Sequence, residues 1–332
     1  MNVHNLIIEK IFMIKPILVT GKNGQLGRSL QKVTRDIPYF LNTITSQLQS
    51  DENLMTDNFS LTCVTREELD LSNTDLIKNF FQINQFSGII NFAAYTSVDK
   101  AEDNPELAEQ INHFAVAQLA KIAKSSAIPL IHISTDYVFN GKSSNPRSET
   151  DKTDPQNIYG LTKLHGENAI IESGCKGAII RTSWLYSEFG NNFVKTILNL
   201  GKKNESIKVV NDQVGSPTYA SNLASMILVM LNNRKTIEIL NSQLNIFHFS
   251  DDGSCSWYDF AKTIIKLSKL KCNINPLETK DYPSPAKRPQ YNVMSKAKIK
   301  EYLPELLIPH WKDSLINSFD EIINRELNNC DN

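Results

Sequence analysis

Residues 16–28 read PILVTGKNGQLGR, and this stretch decides the fold. A short apolar run ends in a loop with glycine at positions 21, 24 and 27, and helix-forming residues follow at once. A strand, a tight glycine turn and a helix in this order let backbone N–H groups at the positive end of the helix approach a pyrophosphate. The stretch therefore predicts a dinucleotide-binding turn, although glycine turns with this spacing also occur without a ligand.

The sequence from residue 88 to residue 182 alternates short apolar runs with helix-like stretches. The apolar runs are residues 88–95, 128–135 and 177–182, and the helix-like stretches are residues 105–125 and 159–172. Short strands rich in isoleucine between amphipathic helices are typical of buried parallel sheets. The predicted fold class is α/β, a Rossmann-type doubly wound parallel sheet with right-handed crossovers and a smaller C-terminal substrate-binding portion.

The length of 332 residues suggests one large unit with an added portion, because single cores stop growing at about 250 to 300 residues. We predict an NAD(P)-binding Rossmann domain over residues 14–182 and a mainly substrate-binding portion over residues 183–330, with some segments returning to the Rossmann core. After residue 182 the pattern becomes irregular, which suits binding loops held on a rigid scaffold. The polar region between Leu30 and Leu61 is interpreted as a surface insertion that delays the second strand to residues 61–64.

Composition and charge exclude several classes of function. With 35 basic and 36 acidic side chains, the net charge of −1 provides no broad attraction for nucleic acid or an anionic membrane. The five cysteines are scattered without a CxxC pair, which favours a reducing compartment. The first residues lack the pattern of a signal peptide, and no apolar stretch reaches the roughly 18 residues of a membrane span. We therefore expect a cytoplasmic protein that binds neither nucleic acid nor membrane.

Tyr159 and Lys163 are four residues apart at the start of a helix-like stretch, so both lie on one face of that helix. An ammonium beside a phenol stabilises the phenolate, and we expect it to bring the phenol pKa down from about 10. Tyr159 can then protonate a carbonyl oxygen that becomes an alkoxide as hydride arrives from nicotinamide C4, while Lys163 can also hold the nicotinamide ribose. This spacing alone is common by chance, but Ser134 and Thr135 add hydroxyls at the end of a predicted strand, where open α/β sheets bind ligands.

Two features bear on the choice of cofactor. Arg66 follows the second predicted strand, where an acidic residue would bind the ribose hydroxyls of NAD and an arginine can meet the 2′-phosphate of NADP. NADPH is therefore the expected cofactor, with NADH as the alternative and a solvated surface arginine as the other interpretation of Arg66. Asp70 and Leu71 lie where the next strand end can touch adenine, but Asp70 can equally cap the helix that follows.

The motifs STDYVF, YGLTK, RTSW and DQVGSPT occur in this order along the chain. They resemble the extended short-chain dehydrogenase/reductases and, within them, the dTDP-4-dehydrorhamnose reductases, and the likeness covers most of the chain. The resemblance implies NAD(P)H-dependent reduction of the 4-keto group of a dTDP-linked 4-keto-6-deoxyhexose, dTDP-4-dehydro-β-L-rhamnose, to dTDP-L-rhamnose. It also implies that Thr135, Tyr159 and Lys163 are the catalytic trio.

The resemblance assigns further contacts residue by residue. The expected cofactor side consists of the glycine turn and the residues after the third strand, namely Gly21, Asn23, Gly24, Gln25, Leu26, Gly27, Ala93, Ala94 and Tyr95. The expected sugar-nucleotide side consists of Asp136, Tyr137, Trp184, Asn192 and Arg288. Their chemistry fits, because an indole packs on a sugar or base, amides and carboxylates bond hydroxyls, and a guanidinium binds diphosphate oxygens. A core tryptophan, loop caps and a solvated arginine are the alternatives.

Two departures from the family pattern and two other functions stay open. Asn292 stands where the family usually has a serine, which bears on the diphosphate side. Arg28 and Ser29 stand where some members have a glutamate that binds a metal between two subunits, so no metal is expected there and a homodimer is left open.

The chain can instead reduce another nucleotide-linked 4-keto sugar, or resemble a non-catalytic regulatory subunit of methionine adenosyltransferase. The intact trio favours an enzyme.

Overall fold

The structure is a computed structural model and describes residues 15–35 and 60–328. Its strands, in chain order, are β1 (Ile17–Thr20), β2 (Leu61–Cys63), β3 (Gly88–Asn91), β4 (Leu130–Thr135), β5 (Gly177–Thr182), β6 (Leu185–Tyr186), β7 (Ser206–Val210), β8 (Val214–Gly215), β9 (Thr218–Tyr219), β10 (Leu244–His248), β11 (Cys255–Ser256) and β12 (Asn273–Leu277).

The helices alternate with these strands over the first half of the chain. They are α1 (Gln25–Arg35), α2 (Thr74–Ile83), α3 (Val98–Asp103), α4 (Pro105–Glu109), α5 (Ala115–Ser125), α6 (Ile158–Ser173), α7 (Phe193–Lys203), α8 (Ala220–Asn232), α9 (Arg234–Ser242), α10 (Trp257–Ser268), α11 (Ala297–Tyr302) and α12 (Trp311–Asn328). A π-helical turn, Gln110–Phe114, joins α4 to α5, and 3₁₀ turns occupy Asp136–Val138 and Thr279–Asp281. No described helix is long and apolar enough to cross a bilayer.

Six strands form one sheet in the order β10-β5-β4-β3-β1-β2, and every neighbouring pair is parallel. The chain moves outward from β1 to β2 in one direction and from β1 through β3 in the other. The strand order therefore reverses between β1 and β3, which is where open α/β sheets bind ligands. The predicted fold class, a Rossmann-type doubly wound parallel sheet, is confirmed.

Successive residues of the central strands face opposite sides of the sheet, as pleated strands require. On one side Val19, Ile90, Ile131 and Ile180 pack in one core with α1 and α8. On the other side Leu18, Ile89, Leu130 and Ile179 pack against α2, α5 and α6. Because both faces are covered, the strands read as continuous apolar runs.

The chain after residue 182 is more regular than its sequence predicts. Strand β10 returns to the central sheet, where Ile246 pairs with Ile179 of β5, and α8 covers one face of that sheet. The other segments form a separate core around Tyr186, Phe260 and Trp311, built from α7, α10 and α12. The division at residue 182 stays a prediction. Strand β2 lies within the predicted range, while most of the predicted insertion, residues 36–59, lies outside the described residues.

Candidate active site

A cleft of about 910 Å³ opens at the carboxyl ends of the central strands, where the strand order reverses. It is lined by the glycine turn, by the chain after β2 and β3, by the end of β4 and by the start of α6. Of the predicted site residues, the cleft is lined by Gly21, Asn23, Gly24, Gln25, Leu26, Gly27, Arg66, Asp70, Leu71, Ala93, Ala94, Thr135, Asp136, Tyr137, Tyr159, Lys163 and Trp184.

The glycine turn leaves no room for side chains at two positions. Gly21 has φ +73°, and a Cβ there would lie 2.8 Å from the backbone nitrogen of Ala93. A Cβ on Gly27 would lie 2.3 Å from the carbonyl oxygen of Gly21. The turn therefore folds back on the start of α1 and keeps the backbone bare at the helix N-terminus. A bare backbone at the positive end of a helix fits a pyrophosphate.

At the outer end of the cleft, Arg66 is largely exposed and its Nε lies 3.5 Å from Asp70 Oδ1. The Asp70 carboxylate accepts hydrogen bonds from the backbone N–H and the hydroxyl of Ser72, at 2.9 and 2.8 Å, and these bonds lower its pKa. The side chain that caps α2 is Asn73, so the interpretation of Asp70 as that cap is wrong. Leu71 is almost completely buried in the core beneath.

The start of α6 is held against the end of β4. Asn157 caps the helix by accepting a hydrogen bond from the backbone N–H of Gly160 at 2.8 Å. A Cβ on Gly160 would lie 2.3 Å from the carbonyl oxygen of Tyr137, so glycine permits a close approach of the two segments. This approach places the Tyr159 ring edge-on to the Tyr137 ring, with centroids 5.6 Å apart. Tyr159 and Thr135 consequently line the same part of the cleft.

Burial raises the pKa of Tyr159 to about 12, and hydrogen bonding to the Thr135 hydroxyl opposes this rise. The prediction that the neighbouring ammonium lowers this pKa is therefore wrong for this geometry. Exclusion of water is the main cause, and the Lys163 Nζ donates to the carbonyl oxygen of Ile133 at 2.6 Å. Tyr159 is thus a neutral phenol near pH 7 and holds the proton that a developing alkoxide needs.

Lys163 belongs to a buried polar network that sequence reasoning missed. Its Nζ lies 3.0 Å from Nε2 of His132, and Nδ1 of His132 lies 3.0 Å from the Asn91 amide nitrogen. The Asn91 amide oxygen accepts a 2.6 Å hydrogen bond from Thr20, the last residue of β1. All four side chains are almost fully buried. The network therefore ties the predicted catalytic lysine to the strand that enters the glycine turn.

The pKa values within this network move because water is excluded. Burial lowers the pKa of Lys163 to about 7, and it holds the pKa of His132 well below its usual range. His132 is consequently neutral, and Lys163 gives up its proton more readily than a lysine in water. The signal for the missed residues was present, since His132 and Asn91 are polar residues inside apolar strands. Buried polar groups require partners, but the sequence does not say which.

Asp136 is buried at the cleft, and burial raises its pKa to about 7. Its carboxylate accepts a 3.0 Å hydrogen bond from the Thr135 hydroxyl and a 2.9 Å hydrogen bond from the Asn292 amide. The same amide also donates to the Asp136 carbonyl oxygen at 3.0 Å. Asn292, the residue that departs from the family pattern, therefore holds Asp136 in place. A serine hydroxyl has a single proton and cannot donate both bonds.

Trp184 and Trp257 form an aromatic platform in the cleft wall. Their rings are stacked, with centroids 3.4 Å apart and planes 9° apart, and both residues line the cleft. Trp184 has φ +45°, a left-handed conformation that costs a non-glycine residue about 1 to 3 kcal/mol and that clusters at ligand sites. Gly215 makes room for this ring, because a Cβ there would lie 2.6 Å from it.

Three predicted site residues do not line the cleft. Asn192 caps α7 through the backbone N–H of Lys195, and its amide nitrogen donates to the Gln25 side chain at 3.0 Å, so its interpretation as a cap is confirmed. Arg288 is ion-paired with Asp99 at 2.7 Å. The Tyr95 hydroxyl donates to the Lys100 carbonyl oxygen at 3.3 Å. The assigned ligand contacts of these three residues stay predictions.

The bare glycine turn, the doubly wound sheet and a tyrosine and lysine on one face of the helix after β4 define an extended short-chain dehydrogenase/reductase. The chain belongs to the family described as RmlD substrate binding domain, which matches residues 15–324. The match covers almost all of the described chain.

Several similar proteins are named dTDP-4-dehydrorhamnose reductase. The chain is 36% identical to the dTDP-4-dehydrorhamnose reductase of Escherichia coli (strain K12), over 92% of this chain and 97% of that protein. The crystal structure of the Clostridium acetobutylicum dTDP-4-dehydrorhamnose reductase is 39% identical, has a TM-score of 0.78 and matches 92% of this chain and 98% of its own. The crystal structure of the Bacillus anthracis enzyme in complex with NADP is 35% identical, has a TM-score of 0.79 and matches 93% and 100%.

Proposed function

We propose that this protein reduces the 4-keto group of dTDP-4-dehydro-β-L-rhamnose to dTDP-L-rhamnose with NADPH. One observation carries the proposal: Thr135 and a neutral Tyr159 line the same cleft as the glycine turn, in a chain that matches enzymes of this name over nearly its full length. The proposed substrate is a dTDP-linked 4-keto-6-deoxyhexose. We also propose a cytoplasmic location, which suits the unpaired state of Cys63, Cys175, Cys255 and Cys272.

The cleft fits a nicotinamide dinucleotide. The bare backbone of the glycine turn at the N-terminus of α1 suits its pyrophosphate, and the Thr182 hydroxyl at the cleft is buried without a partner among the described residues. When bound, NADPH supplies a hydride from nicotinamide C4 to the substrate carbonyl carbon. Arg66 would bind the 2′-phosphate, because it is exposed and lines the cleft, and its ion pair with Asp70 is long at 3.5 Å. NADH is the alternative donor.

In this mechanism Tyr159 gives its proton to the carbonyl oxygen as negative charge develops there. A phenol with a pKa of about 12 keeps its proton until an oxygen as basic as an alkoxide appears. The Thr135 hydroxyl would help to position that oxygen by redirecting to it the proton that it donates to Asp136 in this structure. Lys163, on the same helix face, would hold the nicotinamide ribose, and its Nζ donates to the Ile133 carbonyl oxygen at 2.6 Å.

The substrate side of the cleft consists of Asp136, Tyr137 and the aromatic platform. The flat face of Trp184 suits the deoxysugar or the thymine ring, and Asp136 can bond a sugar hydroxyl in either protonation state. Asn192 would act indirectly by holding Gln25, and Arg288 would reach a diphosphate only by exchanging its ion pair with Asp99. We propose that residues 183–330 supply most of the substrate contacts.

The test is consumption of NADPH in the presence of dTDP-4-keto-6-deoxyglucose and a 3,5-epimerase that generates the substrate. Tyr159→Phe keeps the ring and removes the proton, so we expect turnover to fall about 100-fold or more while NADPH binding is unchanged. Tyr258→Phe is the matched control, because Tyr258 lies on α10 and does not line the cleft, and it should retain wild-type turnover.

Equal rates for wild type and Tyr159→Phe would overturn the mechanism. A wild-type enzyme that binds NADPH but reduces only a different nucleotide-linked 4-keto sugar would change the substrate and keep the chemistry. Absence of turnover with every such sugar would favour the regulatory-subunit alternative.

A further inference from the structure

One carboxylate and two imidazoles meet on the helices α4 and α6 and the π turn, outside the active-site cleft. Glu109 Oε1 lies 2.7 Å from Nδ1 of His113 and 2.9 Å from Nδ1 of His165. A ligand atom of each of the three side chains lies within 4.8 Å of one from the others. The side chains are 25%, 27% and 38% exposed in the same order, so ions in solvent reach them. The three residues are called the Glu–His–His cluster below.

Close helix packing builds this cluster. Gly166, the neighbour of His165, lies against the π turn so closely that a Cβ would be 2.2 Å from the carbonyl oxygen of Asn112. The Asn112 amide also donates to the Thr162 hydroxyl at 3.1 Å. Both contacts are buried and lie beside the cluster, so the helix backbones that carry its side chains are fixed. Ligands on rigid, packed helices are pre-organised for an ion.

We propose that Glu109, His113 and His165 form a binding site for a divalent metal ion of the zinc class, with water as the remaining ligand. Two imidazole nitrogens and one carboxylate oxygen suit Zn²⁺, Cu²⁺ or Ni²⁺, whereas Mg²⁺ and Ca²⁺ prefer oxygen ligands alone. The site differs from the one expected to lack a metal, which is at Arg28 and Ser29 on α1.

The distances allow an ion to replace the shared protons. A tetrahedral Zn²⁺ with ligands at about 2.0 to 2.1 Å holds them roughly 3.3 Å apart. The separations of 2.7 and 2.9 Å from Glu109 are hydrogen-bond distances, so each must widen by about 0.5 Å. We expect side-chain rotation to provide this, because each of the three side chains is one quarter or more exposed.

The ion would connect the predicted catalytic helix to its neighbour. His165 is two residues after Lys163 on α6, while Glu109 and His113 belong to α4 and the π turn. An ion that binds the folded protein and not the unfolded chain raises stability in proportion to the logarithm of its concentration. The site is therefore expected to clamp the two helices together, independently of the proposed reductase reaction.

The experiment titrates the untagged full chain, stripped with EDTA, with ZnCl₂ in a calorimeter and in thermal unfolding. We expect one equivalent to bind and the Tm to rise. His113→Gln and His165→Gln should each weaken binding at least about tenfold, because each removes one of three protein ligands. Glu109→Gln should do the same if either histidine variant unfolds. His310→Gln is the matched control, since His310 is exposed and lies outside the cluster, and it should bind like wild type.

Co²⁺ identifies the ligands directly. Nitrogen and oxygen ligands give visible d–d bands without the near-ultraviolet charge-transfer band of a cobalt–thiolate bond, and the d–d bands should vanish in the histidine variants. Absence of Zn²⁺ binding, unchanged binding in both histidine variants, or a thiolate band would overturn the proposal. The cluster would then be only a carboxylate shared by two hydrogen-bonded imidazoles.

Discussion

Replacing Lys163 with methionine tests whether burial lowers the pKa of this lysine to about 7. Between that value and its ordinary value of 10.5, the unfolded chain holds a proton that the folded protein has released. Unfolding then takes up a proton, so the free energy of unfolding rises with pH across this window and falls as pH drops toward 7. Methionine removes the titration and keeps most of the side-chain volume.

The magnitude follows from one proton. Each pH unit contributes about 1.4 kcal/mol for a full proton, and the two pKa values give roughly 3 kcal/mol between pH 7 and 9.5. Between pH 7 and 9.5, the free energy of unfolding of the wild type should therefore rise by roughly 3 kcal/mol more than that of Lys163→Met. The variant also loses the hydrogen bonds of Lys163 to Ile133 and His132, but that loss is a constant offset and leaves the slope unchanged. His132 stays neutral throughout, because its pKa is well below this range.

The assay is equilibrium urea unfolding without added nucleotide, at pH 7, 8, 9 and 9.5. Lys121→Met, an exposed position on α5, is the control and should follow the wild-type pH dependence. Parallel curves for wild type and Lys163→Met would show that Lys163 keeps its proton in the folded protein. In that case the reasoning from burial would fail, and Lys163 would be a permanent ammonium.

Three further substitutions test the cleft. Gly27→Ala places a Cβ 2.3 Å from the Gly21 carbonyl oxygen, so we expect weaker NADPH binding by about tenfold or more in a fluorescence titration and a lower Tm. Arg66→Ala should raise the Kd for NADPH about tenfold and leave that for NADH nearly unchanged; equal effects on both would exclude a 2′-phosphate contact. Trp257→Ala removes the ring stacked on Trp184 and should raise KM for the sugar nucleotide several-fold in steady-state kinetics, with little change in the Kd for NADPH.

Most strands of the sheet were predictable because each has a recognisable local sequence pattern. Residues 17–20 are followed directly by the glycine turn, and residues 130–135 and 177–182 contain short isoleucine-bearing apolar runs. Strand β10 gives a weaker signal, since Asn245 interrupts the apolar run and no glycine turn follows it. Its place beside β5 depends on pairing between residues far apart in sequence, which no local pattern encodes.

The sequence predicted which types of side chain form the candidate site, but not which group each of them contacts. Arg288 is a cation able to bind a diphosphate, but in this structure Asp99 holds it. Asn192 is an amide able to bond a sugar, and the backbone N–H of Lys195 uses its oxygen instead. Asn292 has a visible signal, the departure from serine, but its two bonds to Asp136 become apparent only when distant segments are brought together.

Burial, rather than attraction between opposite charges, sets the proton chemistry of the cleft. A low dielectric penalises every charged form, so it raises the pKa of Tyr159 to about 12 and lowers that of Lys163 to about 7. A lowered phenol pKa would suit oxidation, in which the tyrosine must accept a proton from an alcohol. Reduction needs the reverse, a phenol that still has its proton when the carbonyl oxygen gains electrons. The same exclusion of water that destabilises the lysine therefore keeps Tyr159 in the form that the reductive direction requires.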